Sequence, residues 1–328
     1  MTDKGQPVEV GILVYPGAQL AAVYGLTDLF AVAKRLATAR GGGTGTALRV
    51  SHFAPDVSGG APTCSFDTDP ELDHRLVAMI LPPSLGAPPR PESANALAGW
   101  LRELHSGGTL LCSICAGAFV LGGTGLLAGR AATTHWSYAE AFASRFPEVR
   151  VDVDKLIIED GDIITAGGLL AWTDLGLKLV DRLLGPTVML QTARFLLVDP
   201  AGREQRFYSS FSPRLHHGDA AILKVQHWLQ TQEGWRSTVP AMAAHAGLTE
   251  RTFMRRFRKA TGLKPTEYCQ RLRVGKAREM LEFTGRSVDE IAWSVGYGDT
   301  SSFRKVFYKV MGLSPGEYRR RFGVKAST

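Results

Sequence analysis

Three arginines, Arg251, Arg255 and Arg258, recur at i, i+4 and i+7 within the stretch Glu250–Ala260. On an α-helix that spacing gathers three guanidinium groups on one face, while Phe253 and Phe257, also four apart, share another. A guanidinium fork matches the O6 and N7 acceptors of guanine in a major groove, or the phosphates flanking it. Met254 joins this outward surface as a candidate contact. Fifty positions further on, Ser301, Lys305 and Tyr308 take the equivalent face, with Thr300 and Arg304 nearby. One surface is cationic and the other mixed polar, so a DNA site read by both is non-palindromic for each protomer. A different chemistry attaches to Cys115. The run Leu110–Ala118 reads as strand, tight turn, helix, which exposes a thiol at the sheet edge beside a helix N-terminus and lowers its pKa. Covalent catalysis there needs a base in reach and an oxyanion hole. His135, about twenty residues on, is the candidate base; a histidine packed beside Trp136 is the equal alternative.

These side chains need elements to hold them, and the last hundred residues supply the pattern twice. Phe253, Phe257, Gly262, Leu263, Pro265, Tyr268 and Arg271 return as Phe303, Phe307, Gly312, Leu313, Pro315, Tyr318 and Arg321, all at an offset of fifty. Identities at one fixed offset mean a duplicated unit, and two copies suit a pair of helix-turn-helix motifs rather than a solenoid. Helices are expected at about 219–232, 239–246, 250–260, 266–283, 288–295, 300–310 and 315–322, with Thr249 and Asp299 as caps. The 18-residue connector 266–283 spans about 27 Å, compatible with successive major grooves about 34 Å apart. Arg271, Arg273, Lys276 and Arg278 on it are either phosphate contacts or a solvated face, and Arg319–Arg321 are read as backbone attraction.

The first two hundred residues alternate short apolar strands with helices. Strands are expected at Val8–Val14, Leu48–Phe53, Leu76–Leu81 and Thr109–Ser113, and helices at about 20–39, 92–106, 171–184 and 187–198. A hairpin is expected at Ile157–Ile164 with Asp-Gly in its turn, and a glycine-rich loop at 41–45. That alternation predicts a parallel sheet covered on both faces. The reading is therefore an α/β domain over 1–200, a linker over 201–217 and an all-α domain over 218–328.

Charge follows this division. Residues 1–216 hold 18 Lys and Arg against 21 Asp and Glu, whereas residues 217–328 hold 20 against 10. A basic excess confined to the repeated unit is the footprint of phosphate neutralisation. Four cysteines exclude a disulfide scaffold, and one CxxC (Cys112, Cys115) without a second pair builds no closed zinc site. No metal or cofactor is expected. The N-terminus lacks a secretory signal's apolar core. The uncharged stretch between Glu103 and Arg130 is long enough for a bilayer, but its five inner glycines favour a buried layer. A cytoplasmic chain with no membrane contact is expected.

The phrases GLTERTFMRRFRKATGLKPTEYCQRLR and GYGDTSSFRKVFYKVMGLSPGEYRRRF resemble the DNA-binding domain of AraC/XylS-family bacterial regulators. The elbow at Cys115, with VYPGAQLAAVYGLTDLFAVA, TTHW and ITAGGLLAWTDLGLKLV, resembles the PfpI/ThiJ superfamily, related to glutamine amidotransferase domains. Together they are similar to the GlxA-type branch of AraC/XylS regulators. The resemblance implies a flavodoxin-like α/β sensor joined to two helix-turn-helix units. The partners it implies are double-stranded DNA, a small effector such as an amino acid or amine, a second copy of the chain and, for an activator, RNA polymerase. Gly17, Cys115, Ala116, His135 and Gly167 are the candidate ligand contacts, with Pro16, Gln19, Asp28, Gly168 and Asp174 as further possibilities. The chain departs from its peptidase-like relatives where Ala116 replaces the histidine after the cysteine. It departs again where Pro82-Pro83-Ser84 replaces a glycine-rich loop, removing two amide donors. Catalysis is not expected. A cysteine-dependent hydratase or amidase, and an effectorless regulator whose α/β half only dimerises, stay open.

Overall fold

Four mostly apolar, largely buried strands lie at the centre of the sheet: β1 (Val8–Leu13), β2 (Leu48–Ala54), β4 (Leu76–Leu81) and β5 (Leu110–Ile114). The computed structural model describes residues 7–41, 48–56, 60–199, 204–209, 211, 213, 215, 217–231 and 237–324. The glycine-rich loop expected at 41–45 lies, beyond Gly41, outside the described residues. So do 201–203, 210, 212, 214 and 216 of the expected linker. The chain divides into two compact units, Met1–Gln205 and Arg206–Thr328.

In the first unit seven strands lie in the order β3-β2-β1-β4-β5-β9-β8. Pairings among β1, β2, β4, β5 and β9 (Ile163–Ala166) are parallel. The two edges, β3 (Thr63–Asp67) and β8 (Ile157–Asp160), run antiparallel, so the sheet is mixed. The reason is local: β8 returns into β9 through Gly161 at φ +68°, a hairpin too short for a parallel crossover. Strand residues alternate between two helical layers. Val10, Ile12, Ile80, Cys112 and Ile164 join the core under α1 (Leu20–Gly41), α5 (Trp172–Leu184) and α6 (Pro186–Leu196). Leu13, Met79, Leu81, Leu111 and Ile163 join the core under α2 (Pro91–Ser106), α3 (Gly117–Gly122) and α4 (Ala139–Arg145). The uncharged stretch 104–129 thus divides into a helix end, β5 and the six-residue α3. No helix among the described residues is long and apolar enough to cross a membrane.

A charge network ties the sheet's edge to its centre. Arg49 on β2 is almost wholly buried and grips Asp67 of β3 with Nε to Oδ1 at 3.0 Å and Nη2 to Oδ2 at 2.6 Å. Glu9 on β1, 1% exposed, accepts from Ser51 Oγ at 2.5 Å and from the Arg75 amide at 2.6 Å. Its Oε1 also lies 2.7 Å from His74 Nδ1. Removing one member of such a buried pair typically costs about 3–5 kcal/mol, because the other charge is left uncompensated. Cys64, Asp67 and His74 bring ligand-type atoms within 4.8 Å of one another. Both Asp67 oxygens, however, are already committed to Arg49, as a structural ion pair requires.

The second unit is helical: α7 (Ala220–Leu229), α8 (Val239–His245), α9 (Glu250–Thr261), α10 (Pro265–Phe283), α11 (Val288–Ser294), α12 (Thr300–Met311) and α13 (Pro315–Phe322). The repeated residues build two separate cores. Phe253, Phe257 and Tyr268 centre the first; Phe303, Phe307 and Tyr318 centre the second. Each core stacks its aromatics edge to face, Phe257 on Tyr268 at 5.2 Å and Phe307 on Tyr318 at 5.6 Å. Gly262 and Gly312 end α9 and α12 at φ +76° and +73°, the left-handed C-cap that favours glycine. Thr249 and Asp299 accept from the amides of Thr252 and Ser302 and so start those helices.

Candidate functional sites

On α9, burial of Phe253 and Phe257 turns the intervening residues outward. Arg251, Met254, Arg255 and Arg258 are all exposed. On α12, Ser301, Arg304, Lys305 and Tyr308 are exposed and Thr300 is half-buried at the first position after its cap. Arg304 lies 3.9 Å from Asp289 of α11, an exposed pair of little energetic weight. Arg256, which the spacing did not single out, is occupied within the fold. It forks onto Asp219 with contacts of 2.9 and 2.6 Å, and holds that carboxyl below the usual aspartate range. Asp219 also caps α7, so the fork fastens α9 to α7.

On the connecting helix the basic residues have partners within the unit. Arg278 donates to Tyr318 Oη at 2.9 Å and to the Ser209 carbonyl, and pairs with Glu282 at 3.5 Å. Arg271 sits over Phe211 and Arg273 over Tyr297. Lys276 binds Glu279. Arg319 donates to the Arg286 carbonyl and Arg321 to Tyr208 Oη. Of the repeated arginines, then, Arg271 and Arg321 play one role, covering aromatics of the segment that precedes α7.

In the first unit, β5 ends in an elbow. Cys115 holds φ +53°, rare for a residue with a side chain, and its amide donates to the Ala166 carbonyl at 2.8 Å. Gly117 lets the elbow press against the end of β4. A Cβ there would lie 2.7 Å from the Pro82 carbonyl oxygen and closer still to that of Leu81. Neither backbone oxygen can step aside cheaply, so Gly117→Ala is expected to cost at least about 1–3 kcal/mol. Urea unfolding measures it, and an unchanged midpoint would show that the elbow has slack.

Around the elbow, the first turn and the loop after β4 close together. Tyr15 donates to the Pro82 carbonyl at 2.5 Å, and the Gln19 amide to that of Pro83 at 2.7 Å. Gly17, exposed at φ +85°, stands beside Ser84. Gln19 is 6% exposed, and its side-chain carbonyl has no hydrogen-bond donor among the described residues. Ala116 is fully buried.

The thiol is not the exposed, activated group its motif suggests. Cys115 is 2% exposed, and burial pushes its pKa up to about 11. A six-residue helix with buried walls does not offset that desolvation. His135 is engaged locally. Its Nδ1 accepts from the Ser137 amide at 3.2 Å and lies 2.7 Å from Ser137 Oγ, capping its own 3-10 turn. Accepting there leaves the proton on Nε2, and burial lowers the ring's pKa, so the imidazole is neutral. Gly167 also differs from expectation. A Cβ on it would overlap the Gln205 side chain, so its bareness makes room for a protein group. Asp28 is exposed, and Asp174 is half-buried in the first turn of α5 beside Thr173.

Two capped helix pairs, each with an outward-facing second helix, joined to an α/β unit with a strained elbow define a DNA-binding protein carrying a DJ-1/PfpI-type domain. Family models agree: a helix-turn-helix domain matches residues 242–321 and the DJ-1/PfpI family matches 61–182. The HTH-type transcriptional regulator GlxA of Rhizobium meliloti is 30% identical over 227 residues, 68% of this chain and 69% of that protein. The HTH-type transcriptional regulator CdhR of Pseudomonas aeruginosa is 29% identical over 263 residues, 80% of this chain and 78% of that protein. The chain belongs to this GlxA-type family of AraC/XylS regulators. Isonitrile hydratase of Pseudomonas putida is 32% identical over 124 residues, 38% of this chain and 51% of that enzyme.

Proposed function

We propose that this regulator reads double-stranded DNA through α9 and α12, and that its elbow domain binds a small molecule without turning it over. Arg251, Met254, Arg255 and Arg258 form one reading surface, and Thr300, Ser301, Arg304, Lys305 and Tyr308 the other. Gly17, Cys115 and Ala116 line the effector site, with Gln19 added. The regulator works in the cytoplasm as a homodimer and as an activator through RNA polymerase, as its family resemblance implies. One observation carries the non-enzymatic reading: the elbow keeps its strained geometry while its thiol is buried and protonated and the Nδ1 of His135 is taken up by the Ser137 amide. The orphan carbonyl of Gln19 needs a donor, which supports a nitrogen compound such as an amine or amino acid.

A thermal-shift survey of amino acids and aliphatic amines on the full-length chain tests this. A ligand at about a hundred times its Kd should stabilise the chain by about 2.7 kcal/mol. The shift should vanish in Gln19→Leu. A compound consumed by the wild-type chain but not by Cys115→Ser would replace the sensor reading with an enzymatic one. No shift with any member of the set would favour a domain that only dimerises.

A further inference from the structure

Residues three apart on a regular strand point to opposite faces of the sheet. Cys64 and Asp67 of β3 nonetheless share one, because the strand carries a bulge. His52 pairs with Phe66 and Phe53 with Cys64, which leaves Ser65 as the extra residue. Bulges at sheet edges re-aim side chains in this way. The shared face is that of the partners of Asp67 and Cys64, Ser51 and Phe53 on β2. His74 reaches it from the loop between β3 and β4, and that loop is clamped on either side of the imidazole. Arg49 donates to the Leu72 carbonyl at 2.7 Å and to the Asp73 carbonyl at 2.8 Å, while Glu9 takes the Arg75 amide at 2.6 Å. The ring itself is held by Glu9, 2.7 Å from Nδ1, and stands edge-on to Phe53 at 5.2 Å.

A thiol, a carboxylate oxygen and an imidazole nitrogen thus lie within 4.8 Å of one another. The fork from Arg49 does not exhaust Asp67. Oδ1 accepts twice, from Arg49 Nε and from the Asp69 amide at 2.9 Å, whereas among the described residues Oδ2 accepts from Arg49 Nη2 alone. A carboxylate oxygen has two lone pairs, so one on Oδ2 stays open. With Nδ1 turned to Glu9, Nε2 is the nitrogen of His74 left for a ligand. A carboxylate that orients a histidine in this manner is the usual support of a metal-bound imidazole. Glu9 and Asp67 also set two carboxylates against the one guanidinium of Arg49, so the cluster favours a further cation.

We propose that Cys64, Asp67 and His74 bind a divalent metal ion of the zinc type, with the fourth position open. The mixed sulfur, nitrogen and oxygen set suits zinc rather than magnesium or calcium, which take oxygen ligands. Tetrahedral zinc holds such ligands about 3.5 Å apart, and the exposed side chains of Cys64 and His74 close the difference. On binding, the thiol gives up to solvent the proton it otherwise donates to the Phe66 carbonyl. The bound ion ties the β3 edge to the loop before β4 and stabilises the first unit by mass action. The site lies within that unit and is independent of what the elbow binds.

Cobalt(II), the coloured substitute for zinc, tests the site on the full-length, chelator-treated chain without a histidine tag. Titration with Co²⁺ should saturate at one ion per chain, with a thiolate-to-metal charge-transfer band in the near ultraviolet. Cys64→Ser should abolish that band. His74→Ala should weaken binding about tenfold or more, since even loss of a supporting outer partner costs about 10–100-fold. Both residues are exposed, so neither substitution disturbs the core. Zn²⁺ should displace the cobalt and shield Cys64 from iodoacetamide. Absence of the band, or its survival in Cys64→Ser, would overturn the proposal. Unchanged affinity in His74→Ala would do the same, by reducing the site to a lone surface thiol.

Discussion

Arg255→Ala weakens binding of the full-length chain to a duplex it has selected from a random pool by about 1–3 kcal/mol, roughly fivefold to more than a hundredfold. The loss is expected because Arg255 is exposed on α9, whereas other arginines of the unit are engaged elsewhere. A residue reading guanine should also relax the preference at one base position when it is removed. A residue touching only phosphate should instead weaken all duplexes alike and lower the salt slope by about 0.9. Arg256→Ala is the informative contrast. It breaks the fork to Asp219, so it should lower the unfolding midpoint and leave base preference in place. If Arg255→Ala altered neither affinity, base preference nor salt slope, Arg255 would fall outside the interface.

Labelling of Cys115 by iodoacetamide is expected to be very slow at neutral pH. Only the thiolate reacts, and with a pKa pushed to about 11 the thiolate fraction at pH 7 is on the order of 10⁻⁴. The rate, read from the Cys115 peptide by mass spectrometry, should rise about tenfold per pH unit and level off only near pH 11. The sign follows from desolvation, which favours the neutral thiol. Cys64 is exposed and should label well before it. A plateau near neutrality would reveal an activated nucleophile and reopen the enzymatic reading. Cys115→Ser should leave DNA affinity unchanged.

Elements that bury themselves by their own pattern were legible in the sequence. The runs that became β1, β2, β4 and β5 are mostly apolar, and α9 and α12 carry caps and paired phenylalanines. β3 was not legible. It is an exposed edge whose residues Thr63–Ser65 carry no apolar alternation, and it is held by Arg49 and Asp67 from two different strands. At the reading helices, exposure followed directly from the burial of Phe253, Phe257, Phe303 and Phe307. At the elbow the motif located Cys115 but not its environment, because Tyr15 and Pro82 arrive from distant parts of the chain. Gln205 gave no local signal, since a glutamine in a polar segment looks solvated until its four partners are assembled. The sequence left the arginines of α10 open between phosphate contact and a solvated face and did not show their aromatic and carbonyl partners, which are remote in sequence.

The seven residues common to both halves of the helical unit do inward work: they fill the two cores, cap the reading helices, begin α10 and α13, or lie over aromatics. The residues singled out for reading differ on the outside of α9 and α12, where Arg251, Arg255 and Arg258 stand in one half and Ser301, Lys305 and Tyr308 in the other. Folding instructions and operator vocabulary are therefore written in separate letters of the same helix. New binding preferences can be acquired on α9 or α12 one outward position at a time, without renegotiating the scaffold beneath.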